Sequence, residues 1–195
     1  MILLIDTSSD ELFIGLATPN ATLLDFYHGK AEPNERGIHD ARLAVETSGL
    51  FEKHEVHPTS IKKIGIVIGP GSFTGLRIGL SFAKGIVSAT GAEIILIVTN
   101  ELWVDASRPG DAIIVLPSYR EGMGYLSRND APTKNIELRL IADIPECDRI
   151  VPDIANRNPS EYLQKMLDLV QRHTPTMNST DLEPLYVMDF ATGKV

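Results

Sequence analysis

Residues 64–80 read IGIVIGPGSFTGLRIGL. The run Ile64, Ile66, Val67, Ile68 has the character of a strand covered on both faces. It stops at Gly69-Pro70-Gly71, and the apolar positions then recur at helical spacing over 73–89. A strand, a glycine-rich loop and a helix in that order make half of a crossover unit in a sheet flanked by helices. Loops of this kind often cradle a phosphate, so the spacing of the glycines matters.

Three known loop types fail on it. A P-loop places a lysine directly after its second motif glycine, to reach the outer phosphates; here Leu76 follows Gly75 and the next lysine is Lys84. The dinucleotide fingerprint sets its third glycine three residues after the second, whereas Gly75 stands four after Gly71. A nucleophile elbow flanks its serine with glycines two residues away on each side, and Ser72 has Pro70 and Thr74 there. Two readings stay open: a cluster of backbone N–H groups that takes an anion, or a tight strand-to-helix turn. Ser72 or Thr74 is the N-cap in either.

The helix is more informative. Gly75, Gly79 and Ala83 recur every four residues and leave a stripe with almost no side chain. Each glycine inside a helix costs about 1 kcal/mol relative to alanine, so a close packing partner is expected to offset it. The stripe is read here as an interface for another helix, with Leu76, Leu80 and Val87 facing the core. Arg77, one turn in, either pairs with a carboxylate across that interface or stands in solvent.

Upstream, ILLID (2–6), ELFIGLAT (11–18) and ATLLDFY (21–27) read as a meander of three strands with a turn at Pro19-Asn20. Residues 36–51 change period, with Ile38, Ala41, Val45 and Gly49 at helical spacing and Gly49 weakening the C-terminal end. EIILIV (93–98) is a further two-sided strand. Three strands, helix, strand, helix, strand give a mixed sheet with helices on its faces. The second half suggests strands at 112–116, 122–128, 135–142 and 149–151, then a helix at 159–172 opened by Asn158 or Ser160. The expected division is a lobe at 1–99 and a smaller one at 100–195.

The totals bound the function. A chain of 195 residues, 43% hydrophobic and 23% charged, can bury a real core. A net charge of -8 disfavours independent nucleic-acid binding, which needs cations to replace phosphate counterions. One cysteine, Cys147, excludes an internal disulfide framework and a cysteine-rich zinc site. The N-terminus lacks a basic stretch before its apolar run, and no run nears the ~18 apolar residues of a membrane span. A soluble, cytoplasmic protein with no membrane partner is expected.

IGPGSFTGLRIGLSFAKG, together with MILLIDTSSDELFIGLA at the N-terminus, resembles the bacterial TsaB (YeaZ) family. The resemblance covers residues 1–99, including His39 in the first helix. It thins beyond that: Pro117 to Tyr125 read PSYREGMGY where the family carries an Asp-Ala-Arg-like motif before a Glu-Val-Tyr strand, while Pro184-Leu185-Tyr186 is similar to the family's closing segment. The resemblance implies an α/β fold of two RNase H-like lobes of the actin/sugar-kinase/Hsp70 type, each a mixed sheet with flanking helices, the second lobe reduced. It also implies a role in forming threonylcarbamoyladenosine in tRNA, next to the anticodon. The expected partners are a catalytic paralogue, TsaD, in a heterodimer, the ATPase TsaE, and a second copy when the protein is alone. Contact with tRNA is expected only through the complex. No cofactor is required, although ATP or ADP at the partner interface is compatible with the resemblance.

The resemblance also allows a test of catalysis. The catalytic paralogue holds metal through two histidines at i and i+4 on the first helix; here His39 is followed at that spacing by Leu43, which cannot ligate. One ligand falls short of the three protein ligands of a catalytic zinc. His39 is then a capping or interface residue, and no metal site or catalytic residue is expected. His54 and His57 lie in a loop without a carboxylate partner at ligand spacing.

The leading expectation is therefore a non-catalytic interaction subunit that uses Ile38, Ala41, Val45, Gly75, Arg77, Gly79 and Ala83. The alternative is an actin-like nucleotide-dependent enzyme using Asp6 and the glycine loop, with Asp6, Ser8, Gly71, Ser72 and Thr74 around the phosphates. A glycoprotease-like metallopeptidase is a third reading, weakened by Leu43.

Overall fold

In the computed structural model, residues 1–30, 38–176 and 182–187 are described. Strands β1 (Ile2–Asp6), β2 (Glu11–Ala17) and β3 (Leu23–Lys30) form the meander. Helix α1 (Ile38–Lys53) leads to β4 (Lys63–Gly69), and α2 (Phe73–Thr90) leads to β5 (Glu93–Val98). The sheet order is β3-β2-β1-β4-β5. β1 runs antiparallel to β2 and parallel to β4, and β4 runs parallel to β5. A mixed sheet with crossover helices is what the sequence pattern implies.

Alternation along the strands builds two cores. Leu3 and Ile5 join Ile64 and Ile66 on one face, under Leu43, Leu50 and Phe51 of α1 and Leu80 and Ala83 of α2. Ile2 and Leu4 point the other way with Val67, Ile95 and Ile97. That second face is covered by α3 (Pro159–Arg172), through Tyr162, Leu163, Met166, Leu167 and Val170. Asn158 caps α3 by accepting from the N–H groups of Ser160 and Glu161, and Pro159 occupies the first helical position, where its missing N–H costs nothing.

The second sheet holds β6 (Ile113–Pro117), β7 (Met123–Arg128), β8 (Glu137–Leu140) and β9 (Arg149–Ile150), in the order β8-β7-β6-β9. Its core is a small cluster of Ile114, Leu116, Tyr125 and Leu138. The expected division puts α3 in the lobe at 100–195, whereas the helix packs on the first sheet. Trp103 touches the α3 side of the first sheet and the cluster of the second. No helix among the described residues is long and apolar enough to cross a membrane.

Candidate functional site: the interlobe cleft and the outer helix faces

β1 ends at Asp6, and its carboxylate is fully buried. It accepts the Ser8 N–H at 2.8 Å and the Tyr162 hydroxyl at 2.6 Å. Burial pushes the Tyr162 phenol well above the ordinary tyrosine range, and the Asp6 charge adds to the effect. Tyr162 therefore stays a donor, and Asp6 is tied to its own turn and to α3.

The turn after Asp6 explains the glycines of α2. A Cβ at Gly75 would overlap the Thr7 carbonyl oxygen, one at Gly79 would overlap Thr7 Oγ1, and one at Gly71 would overlap the Ser8 carbonyl oxygen. Ser72 N–H donates to that Ser8 oxygen at 2.6 Å, and Ser72 Oγ caps α2 by accepting from Gly75 N–H at 3.2 Å. The expectation that Gly75, Gly79 and Ala83 face another protein is corrected here: all three are buried, and the close neighbour of the two glycines is the chain's own Thr7. Spacing alone could not distinguish an internal neighbour from an external one.

Of the five residues expected around a phosphate, Ser8 and Gly71 line the cleft between the two sheets. Asp6 lies buried behind it, Ser72 Oγ is engaged in the cap, and Thr74 is exposed in the first turn of α2. The cleft has a volume of about 440 Å³. Pro70 and Ser9 stand on one wall, Leu116, Tyr119 and Tyr125 on the other, and Trp103 lies among them. Its cations face carboxylates. Arg157 donates to Glu11 Oε2 from Nε at 3.0 Å and Nη2 at 2.6 Å, and to Ser9 Oγ at 3.2 Å. Its guanidinium also stacks on Phe13 at 4.3 Å and Tyr162 at 4.5 Å, and the Arg157 and Glu11 side chains are only 7% exposed. Lys30 Nζ lies 3.7 Å from Asp10 Oδ2 and 3.9 Å from Glu11 Oε1. Sequence reading missed Arg157, Glu11 and Tyr162, because nothing local marks residues paired across more than 140 positions.

His39, His54 and His57 each make hydrogen bonds within the fold. His39 is buried and its Nε2 hydrogen-bonds the Glu11 carbonyl at 3.2 Å, while Leu43 lies in the core. His54 Nε2 pairs with Asp25 at 2.8 Å, beside Lys53 at 2.6 Å, whereas His57 Nδ1 accepts Thr59 N–H. Among the described residues no group of three His, Cys, Asp or Glu side chains is placed to hold a metal ion.

The outer helix faces hold the rest of the expected interface. Ile38 is buried, a correction to its expected place on that surface. Ala41, Val45 and Gly49 are exposed, with Val45 at 66%, because the core face of α1 is Leu43, Thr47 and Leu50. On α2, Ile78, Phe82 and Ile86 are partly exposed and Gly85 is exposed. Arg77 is exposed, and within the chain its Nε donates to Tyr186 Oη at 2.8 Å and its guanidinium covers the Phe73 ring at 3.9 Å.

A family model described as TsaD, tRNA N6-adenosine threonylcarbamoyltransferase, matches residues 36–147. The tRNA threonylcarbamoyladenosine biosynthesis protein TsaB of Bacillus subtilis (strain 168) is 29% identical over 113 residues, 58% of this chain and 47% of that protein. A tRNA N6-adenosine threonylcarbamoyltransferase of Ehrlichia canis (strain Jake) is 29% identical over 105 residues, 49% of this chain and 30% of that protein. The chain thus matches less than half the length of either relative. The solved structure of YeaZ from Pseudomonas aeruginosa superposes with a TM-score of 0.68 at 15% identity, covering 95% of this chain and 98% of that one. That likeness shows a shared fold, a mixed α/β arrangement of two sheets with flanking helices.

Proposed function

The chain belongs to the TsaD family, described as tRNA N6-adenosine threonylcarbamoyltransferase, as a TsaB/YeaZ-type member, and from that premise we propose that it is a non-catalytic subunit. It binds and supports a TsaD-type paralogue in forming N6-threonylcarbamoyladenosine in tRNA. The observation that carries this reading is that the two α1 positions where the resemblance implies a metal-binding pair are both engaged in packing. At the i and i+4 positions of α1 stand a histidine bonded to the Glu11 carbonyl and a leucine in the core. A transferase or peptidase centre built on that helix would need both to ligate.

The surface offered to the partner is the outer face of α1 and α2, around Ala41, Val45, Gly49, Phe82 and Gly85. Small residues at Ala41, Gly49 and Gly85 let a partner helix approach, and Val45 and Phe82 supply apolar area worth ~25 cal/mol per Å2 once covered. The same surface serves a second copy of the chain when the paralogue is absent. With 26 acidic against 18 basic residues, contact with tRNA runs through the partner. TsaE joins the same assembly.

The test is co-purification with the TsaD-type paralogue from the same cell. Val45→Glu places a charge at the centre of the face without touching the core, and is expected to abolish the complex while the melting temperature of the isolated subunit is unchanged. A complex that survives this change rejects the surface. Threonylcarbamoyladenosine persisting in total tRNA after deletion of the gene rejects the function itself.

The nucleotide-dependent alternative is disfavoured by Asp6, whose two oxygens serve Ser8 and Tyr162 rather than the cleft. Calorimetry of the isolated protein with ATP and magnesium separates the two readings; saturable binding with hydrolysis revives the enzyme.

A further inference from the structure

The tail segment 182–187 runs across the molecule and touches both sheets. Lys84 Nζ donates to the Leu182 carbonyl at 2.6 Å, near the middle of α2. Leu185 N–H donates to the Ile68 carbonyl at 2.7 Å, at the C-terminal end of β4. Tyr186 accepts from Arg77 and its ring lies 5.0 Å from that of Phe73. Val187, the next residue, packs against the second-sheet cluster of Ile114, Leu116, Tyr125 and Leu138. Gly69 is shaped to this crossing: its φ is 115°, and a Cβ there would stand 2.9 Å from both the Leu185 carbonyl oxygen and Leu76 Cδ1.

The two sheets are otherwise joined through the chain entering α3, where Ile154 packs on the second-sheet cluster and Arg157 bonds Ser9 and Glu11, and through the segment after β5. Asn100 Nδ2 donates to Ser127 Oγ at 2.9 Å, Asp105 N–H donates to Asn129 Oδ1 at 3.0 Å, and Asn129 Nδ2 returns a bond to the Asp105 carbonyl at 2.8 Å. These contacts grip the C-terminal end of β7. A body held by a few such links can rotate about them as a hinge. The tail supplies an attachment nearer the other end of the ladder, where Tyr125 pairs with Leu116. It also grips the two walls of the cleft: Ile68 and Gly69 lead directly into Pro70 and Gly71, and Val187 lies on the cluster that carries Leu116 and Tyr125.

We propose that residues 182–187 form an interlobe strap that fixes the width of the cleft by tying the β4–α2 junction to the second sheet. This does not depend on the subunit reading. The experiment uses spin labels on the full chain. Cys147 is the single cysteine and is exposed on the second lobe, and Asn20→Cys adds an exposed site on the turn between β2 and β3 of the first. Double electron–electron resonance on this labelled parent is expected to give one narrow distance distribution. Leu185→Pro with Tyr186→Ala removes the backbone donor and the ring, and should at least double the width of that distribution. Arg77→Met with Lys84→Met removes the α2 anchors while leaving the tail sequence intact, and should broaden it as well. Should the first variant not fold, the second decides alone. A folded Arg77→Met, Lys84→Met protein that keeps the parental distribution overturns the strap.

Discussion

The Tyr162 hydroxyl donates a 2.6 Å hydrogen bond to Asp6 Oδ2, joining the first turn of α3 to the end of β1. Both groups are buried, and among the described residues the carboxylate also accepts the Ser8 N–H on Oδ1. Tyr162→Phe keeps the ring against Phe13 and Trp103 but leaves Oδ2 without its donor. A buried acceptor stripped of its partner costs about 1–3 kcal/mol. Urea denaturation should show that loss with an unchanged slope; an unchanged midpoint means that another donor replaces the phenol.

Gly79 and Gly85 lie on the same helix and should respond to alanine with opposite signs. Alanine has the better helix propensity by about 1 kcal/mol, and Gly85 has open space around it. Gly85→Ala should therefore stabilise the protein by about 0.5–1 kcal/mol. At Gly79 the new methyl runs into Thr7 Oγ1, and overpacking of this kind costs about 1–3 kcal/mol. Equal effects at the two positions would remove the case that the β1 turn is what requires Gly79.

Arg157 and Glu11 form a buried pair between the chain entering α3 and the start of β2. Removing one partner of a buried pair leaves the other charge uncompensated and costs about 3–5 kcal/mol. Arg157→Met and Glu11→Gln should each destabilise strongly, and the double variant should lose clearly less than the sum. Additive losses in that cycle would show that the two side chains do not act as a pair.

Asp25 sits at the edge strand β3, where the Lys53 ammonium first and His54 second hold its carboxyl down to about 2. Because the folded value lies below the ordinary 3.8, the contribution is complete above pH ~4 and lost as the pH falls toward 2. Lys53 is 67% exposed, so solvent screening keeps the effect on the order of 1 kcal/mol. The stability gap between the parent and Asp25→Asn should be constant from pH 7 to 4 and close below that. A gap that opens on acidification would reverse the assignment.

The strand and helix order of the first sheet was legible because each element carries its own period. Leu3 and Ile5 alternate with Ile2 and Leu4, and α2 repeats every three to four residues up to the left-handed cap at Gly91. The second sheet was legible in outline only, since β8 and β9 are short and half exposed. In the candidate site, residue identity at fixed spacing came directly from the sequence: Leu43 four residues after His39, and no lysine after Gly75. Direction did not. The stripe at Ile38, Ala41 and Val45 divides between core and surface, and Gly75, Gly79 and Ala83 turn inward entirely.

The sequence by itself determined the fold class, the family resemblance and the presence of a non-ligating Leu43 four residues after His39, because these depend on local periodicity and on residue identity. Only the tertiary structure decided what the glycines of α2 accommodate, where Arg77 points, and that Arg157, Glu11, Tyr162 and Asp6 lie together. Spacing along a helix says that something approaches closely; it carries no information about whether that neighbour is seventy residues away in the same chain or belongs to another molecule. For IGIVIGPGSFTGLRIGL the neighbour is the turn at Thr7 and Ser8.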